Sequence, residues 1–252
     1  LIHNTDHEGT VVASDQNGGE TTATFKFTTF DVNSESGSIL WQKSLGGSKD
    51  DLLYAVLSTE DNGFLIAGSS ESEDGDVETN RGTQDCWLMK MDNDGNIQWK
   101  KNYGGSDQDV IHALAKSNDG GYFLGAFSAS TDFDLTVNSG MRDYWIVKTN
   151  ASGDVLWKTS VGGSKDDIVE GISATQDGGC VIAGFSSSPE NGVSGQSDAW
   201  IVKLDSGGTF EWGSIVGNEK RDLAYEVIET SEGDFLAVGA TEIASGKRDI
   251  YV

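Results

Sequence analysis

Four aspartates return at the end of a glycine-bearing turn: Asp51 in GGSKDD, Asp109 in GGSDQD, Asp167 in GGSKDD and Asp222 in GNEKRD. Acid side chains at fixed places in successive copies of one motif offer two kinds of chemistry. Brought together around an axis, they would repel one another unless a cation or basic side chains intervened, and a hard cation such as Ca2+ takes oxygen ligands. Kept apart, each would cap the backbone N–H groups of its own turn and recur because the fold recurs. The capping reading needs no ion and is the simpler of the two. A second set, Asp74, Asp76, Asp132 and Asp134, lies in longer polar stretches where binding residues collect. These acids could meet a ligand or hold calcium, but Asp-Gly-Asp is not kept in every copy, which favours solvated loop charge. Asp92-Asn93-Asp94-Gly95 looks like part of a calcium loop, yet the closing Glu is absent and the matching turn Asn150-Ala151-Ser152-Gly153 has lost its acids. A hairpin turn explains it better.

Other chemistry is sparse. His3, His7 and His112 are the only histidines, and neither H-E-x-x-H nor G-x-S-x-G occurs. Trp87, Trp145 and Trp200, like Trp41, Trp99, Trp157 and Trp212, could stack on sugars, but their fixed places argue for packing between repeats. Lys90, Lys148 and Lys203 recur in one strand-like run, where pairing with a neighbouring carboxylate accounts for them.

The elements that must position these residues come from an internal repeat. DCWLMKMDNDGNIQWKKNYGGSDQD, from Asp85, returns as DYWIVKTNASGDVLWKTSVGGSKDD from Asp143 and DAWIVKLDSGGTFEWGSIVGNEKRD from Asp198. The outer tryptophans Trp41, Trp99, Trp157 and Trp212 stand 58, 58 and 55 residues apart, a period that means a solenoid, a propeller or an array. Each copy holds four short strand-like runs, and the first two are apolar on successive residues, as in Leu52, Leu53, Tyr54, Ala55 and Val56. Such strands need cover on both faces. Four-stranded antiparallel sheets stacked around an axis supply it, so the expected fold is an all-β, five-bladed β-propeller. Its blades span 1–43, 51–101, 109–159, 167–214 and 222–252, with nineteen strands and the outer strand of the last blade missing at the seam between the first and last copies.

The run D-x-W-(I/L)-V-K-x-D-x-x-G-x-(I/V)-x-W-x-K-x-x-G-G-S-x-x-D, followed by D-G-G-(Y/F)-x-(I/L)-A-G, resembles a tandem β-propeller repeat of secreted and cell-surface bacterial and archaeal proteins. Many of those are type IX secretion cargo, and the repeat is similar to that of PQQ-type propellers. The resemblance implies a propeller with its first run innermost and its Trp-bearing fourth run outermost. It lends no general activity. The first copy departs from it, because Thr24–Phe30 lacks the Asp and the Trp, and Gly217-Asn218 replaces Gly-Gly in the fourth.

With that strand order, both tight turns of a blade fall at one end. The long connections Asp15–Thr22, Glu71–Gln84, Ala129–Arg142, Ser187–Ser197 and Glu242–Arg248 fall at the other, the expected functional face. Asp51, Asp109, Asp167 and Asp222 would then ring the mouth of a central channel. Forty-one acidic against seventeen basic residues give a net charge of −24, a field that repels nucleic acid and anionic membranes and attracts cations. No run of about 20 apolar residues could insert in a bilayer, and no leader precedes the repeats, as expected once a signal peptide has been removed. Cys86 and Cys180, at different places in different repeats, read as buried free thiols. The expectation is a non-catalytic extracellular or cell-surface binding or scaffold module, calcium-stabilised if the channel acids converge, presenting acidic loops to a glycan or protein partner. The alternative is a carbohydrate-active hydrolase using channel carboxylates. That needs two acids in different environments, whereas repeat-equivalent acids have similar ones.

Overall fold

The computed structural model describes residues 4–14, 20–30, 41–135, 137–244 and 246–251. They fall into two units, 1–42 and 43–252, each taken by itself.

The first unit contains one antiparallel hairpin, β1 (Asn4–Ser14) and β2 (Glu20–Phe30), with Asn4 opposite Phe30 and Ser14 opposite Glu20. Of the four strands expected of the first copy, the second and third, expected over Gly9–Ser14 and Ala23–Phe30, are the two described, and both start earlier than expected. The run carrying Trp41 forms no strand over 41–47, and its earlier part lies outside the described residues.

The second unit is a succession of antiparallel meanders. β3 (Asp51–Ser58), β4 (Phe64–Ser70), β5 (Asp85–Met91) and β6 (Ile97–Tyr103) form one sheet in chain order. The next holds β7 (Asp109–Lys116), β8 (Tyr122–Ser128), β9 (Asp143–Thr149) and β10 (Val155–Val161). β11 (Asp167–Ala174), β12 (Cys180–Ser186), β13 (Asp198–Leu204) and β14 (Phe210–Val216) follow. β15 (Asp222–Glu229), β16 (Phe235–Ala244) and β17 (Lys247–Tyr251) make a three-stranded sheet. Seventeen strands are described, not nineteen. The long connection expected over 242–248 is a tight hairpin instead, because β16 runs on to Ala244 and pairs it with Lys247.

The sheets form because short apolar runs are punctuated by turns that reverse the chain. At Gly95, Gly153 and Gly208 φ is +75°, +79° and +82°, the left-handed region that glycine enters without a side-chain clash. Between these turns β5, β9 and β13 are buried at all seven positions, as strands covered on both faces must be.

Consecutive sheets share their cores. Leu65, Cys86 and Leu88 of the first four-stranded sheet pack with Ile111, Leu124 and Trp145 of the second. Phe123, Tyr144 and Ile146 meet Val169, Ile182 and Trp200 of the third, and Val181 and Ile201 meet Ala224 and Val227 of the last. Each fully buried Phe or Ile contributes about 2 kcal/mol. Tryptophans of both sets pack between sheets as expected: the inner Trp200 brings its ring to 4.8 Å from Tyr144, and the outer Trp212 to 5.2 Å from Phe235. Cys86 and Cys180 are buried free thiols. β3 departs from the expectation. Its Leu52 and Leu53 are exposed where Val110, Ile111, Ile168 and Val169 are buried, because no sheet of this unit precedes it.

Candidate functional site

Because strands alternate in direction, the tight turns of each sheet lie at one end. The connections 71–84, 129–142 and 187–197 lie at the other, beside the glycine-bearing turns that lead to the next sheet. At this loop end successive sheets are stapled by short parallel bridges, Gln84 to Gln108, Arg142 to Asp166 and Ser197 to Arg221. Side chains reinforce two of them. Gln108 Nε2 donates to Gln84 Oε1 at 2.8 Å, and the Arg142 guanidinium donates to both oxygens of Asp166 at 2.8 and 2.9 Å.

The first expected set of acids serves these turns. Asp109 accepts the Gly105 N–H at 2.7 Å, the Ser130 hydroxyl at 2.9 Å and the Ser128 hydroxyl. Asp51 does the same with Gly47 N, Ser72 and Ser70. Asp167 takes Gly163 N–H at 2.7 Å, the Ser188 hydroxyl at 2.9 Å and Asn191 Nδ2 at 3.3 Å. Asp222 takes the N–H and the side-chain amide of Asn218. Among the described residues no three His, Cys, Asp or Glu side chains come together as a metal ligand set. These four are turn caps, each in its own turn. Burial pushes the Asp109 and Asp167 carboxyls up, opposed by the Ser128 and Ser186 hydroxyls and the turn N–H groups.

The second set clamps the same turns from the loop side. Asp74 accepts Ser48 N–H at 2.8 Å and Asp76 accepts Gly46 N–H at 3.2 Å. One repeat on, Asp132 accepts Ser106 N–H at 2.8 Å and Asp134 accepts Gly104 N–H at 3.2 Å, while Arg81 pairs with Asp134. The next copy replaces Asp132 with Glu190, whose carboxylate reaches Ser164 N–H at 3.4 Å. All four acids expected to meet a ligand or to stand as loop charge therefore share a structural task.

A third set escaped the sequence reading. Asp85, Asp143 and Asp198, which open the third strand of each sheet, are buried. Each accepts, through Oδ2, an N–H four residues earlier, from Arg81 at 2.8 Å, Ser139 at 2.7 Å and Ser194 at 2.8 Å. The Oδ1 of each is buried and has no hydrogen-bond donor. Burial pushes the Asp85 and Asp143 carboxyls up to about 6, each helped by the charge of its neighbour, Asp109 or Asp167. The signal was present in the invariant Asp of D-x-W, but an orphaned oxygen shows only in three dimensions.

Phe133 was also missed. It sits between Asp132 and Asp134, where the preceding repeat has Gly75 between Asp74 and Asp76. Gly75 has φ +68° and Phe133 has φ +51°, so a bulky side chain occupies a glycine conformation. Its ring is 66 % exposed, with Arg81 5.7 Å from the centroid, and Val137 and Met141 of the same loop are also exposed.

At the turn end the recurring lysines are paired as expected. Lys90, Lys148 and Lys203 reach Asp61, Asp119 and Asp177 at 2.8, 2.7 and 2.7 Å. His112 Nδ1 lies 2.9 Å from the Val169 carbonyl oxygen and 3.7 Å from the Glu170 carboxylate, and its ring packs on Tyr54 and Phe127. A cleft of about 510 Å³ between the last two sheets is lined by apolar residues such as Ile201, Trp212 and Phe235. One of about 240 Å³ on the loop side of β9 and β10 holds a single acid, Asp134, beside Lys158. A third, of about 250 Å³ at the turn end, places Glu60 and Asp61 beside Lys90 and Lys116.

No helix is long and apolar enough to cross a membrane among the described residues. No family model matches the chain. It is similar to the regulatory protein FlaEY of Caulobacter vibrioides, 24 % identical over 181 residues, which is 67 % of this chain and 19 % of that protein's length. The chain thus corresponds to about a fifth of that relative.

Proposed function

We propose that the chain forms a five-bladed β-propeller akin to the tandem repeats of secreted and cell-surface proteins, and that it is a non-catalytic binding or scaffold module working outside the cell. In this reading the loop end meets a glycan or another surface protein through the 129–142 connection. The observation that carries it is Phe133. Holding a non-glycine residue in a left-handed conformation costs about 1–3 kcal/mol, and such strain collects at ligand-contacting positions. Closing the turn does not require an aromatic ring, since Gly75 closes the equivalent turn one repeat earlier, and the contact of the Phe133 ring with Arg81 leaves most of the residue exposed. The clamping acids give the loop a rigid base, which lowers the entropy cost of binding.

Phe133→Gly separates the two roles of the position. The expected result is an unchanged fold, a stability gain of about 1 kcal/mol from relieved strain, and loss of binding in a screen against a glycan array and a panel of surface proteins. A variant that keeps every interaction of the parent would sink the reading.

A further inference from the structure

Every seam between four-stranded sheets buries two carboxyl groups that belong to different sheets. At the first, Asp85 and Asp109 are both fully buried, and their Oδ1 and Oδ2 lie 2.9 and 2.7 Å from the point that a Cβ on Gly104 would occupy. At the second, Asp143 and Asp167 are buried to the same degree, and a Cβ on Gly162 would collide with the Asp143 carboxyl. The members of each pair are unequal. Asp109 and Asp167 each accept three or more hydrogen bonds, from a turn N–H and from Ser or Asn side chains. Asp85 and Asp143 accept only backbone N–H groups, from Arg81 with a weaker contribution from Gly82 and from Ser139, and neither Oδ1 has a donor.

An ionised carboxylate with a dry, unpaired oxygen is costly, and a second anion beside it adds repulsion. The surrounding charges relieve it only in part. At the first seam the Arg81 guanidinium offsets some of the Asp85 charge but is itself engaged by Asp134 on the neighbouring loop, and Asp107 adds a further negative charge near Asp109. At the second, Arg142 is taken by both oxygens of Asp166, and Glu190 faces Ser164. With no room beside the orphan oxygen even for a Cβ on Gly104 or Gly162, a cation and its shell of oxygen ligands find no space. A proton does.

We infer that Asp85 and Asp143 are the protonated members of two carboxylic acid–carboxylate pairs, so that two seams each bind one proton and the stack of sheets is firmest in mildly acid solution. The protonated Oδ1 becomes a donor, and the fully bonded Asp109 or Asp167 keeps the charge. The direction of the pH dependence follows. These groups stand at about 6 when folded against an ordinary 3.8. Their stabilisation is fully present below the unfolded value and is lost as pH rises through the folded one.

The test is the unfolding temperature from about pH 4 to about pH 8 for the parent and for Asp85→Asn/Asp143→Asn, in which a neutral amide replaces the acid. The parent is expected to lose several degrees between these limits. The double variant should match it at the acid end and exceed it at the neutral end. Glu219→Gln/Glu232→Gln removes the same charge from exposed positions and should keep the parental slope, which separates the seams from the general repulsion of a −24 chain. In the unaltered protein, titration of the aspartate side-chain carboxyl carbons by NMR should find Asp85 and Asp143 changing well above the ordinary carboxylate range. Identical slopes in parent and double variant, or ordinary midpoints for both carboxyls, would overturn the proposal. The carbon titration decides the matter alone if the double variant does not fold.

Discussion

The two ends of the stacked sheets use the same residue to opposite effect. At the turn end, Asp119 is largely exposed, and the hydrogen bond from Lys148 holds its carboxyl down at about 2. Asp177 reaches about 2 against its own partial burial, through Lys203. At the loop end, Asp85 and Asp143 are buried with no hydrogen bond from a cationic side chain, and burial pushes both up to about 6. Strand length separates the two environments. An aspartate is a charge where a lysine and water reach it, and a hydrogen-bonding shape where only backbone and serine do.

If that contrast is right, the loop end carries the larger mutational costs. Asp109→Ala strips the acceptor from the Gly105 N–H and two serine hydroxyls. It should cost about 3 kcal/mol and lower Tm by roughly 6–12 °C, read by calorimetry. Gly162→Ala should cost about 2 kcal/mol, because the new methyl group overlaps the Asp143 carboxyl in a packed seam. Pairing it with Asp143→Ala should recover part of that loss, and additive costs would deny that the glycine is there to admit the carboxyl. At the turn end Asp119→Asn should cost only about 1 kcal/mol, since the Asp119 carboxylate is largely exposed and screened by solvent while Lys148 keeps the Phe123 ring 4.7 Å away. The smallest effect is in acid. The Lys148 and Lys203 pairs contribute stability that is present above the ordinary value of 3.8 and lost as pH falls through about 2. A urea midpoint that drops in that range for the parent and less for Lys148→Met/Lys203→Met would confirm it; equal drops would remove the turn end from the comparison.

Much of this was legible in the chain. The D-x-W run named the buried third strand of three sheets, successive apolar residues announced the cover found on β7, β8, β11 and β12 but not on β3, and the recurring lysines found the carboxylates they were expected to need. Connection lengths were legible where Ser, Asp and Gly accumulate and failed at 242–248, because β-branched Thr241 and Ile243 extend a strand as readily as they leave one. The site was harder. Whether Asp109 rings a channel or caps a turn depends on which donors surround its oxygens. The Ser-x-Ser pairs that supply them, Ser70 and Ser72, Ser128 and Ser130, Ser186 and Ser188, lie about twenty residues downstream and carry no motif of their own. Phe133 looked like any loop aromatic until its backbone angle was known.

Beyond the sheets themselves, the outer strands grip the next sheet in a particular way. Tyr103 donates its hydroxyl hydrogen to the Gly153 carbonyl at 2.6 Å, Trp157 its indole N–H to the Ser206 carbonyl at 2.9 Å, and Thr159 its hydroxyl hydrogen to the Gly208 carbonyl at 2.6 Å. All three acceptors belong to peptide groups, which every amino acid brings unchanged. A turn held this way can mutate from Asn150-Ala151-Ser152-Gly153 to Asp205-Ser206-Gly207-Gly208 without releasing its neighbour, provided the backbone keeps its path. Modules joined through such generic handles can be copied, swapped and appended with little coordinated change, which is the property a gene needs if it is to lengthen by duplication.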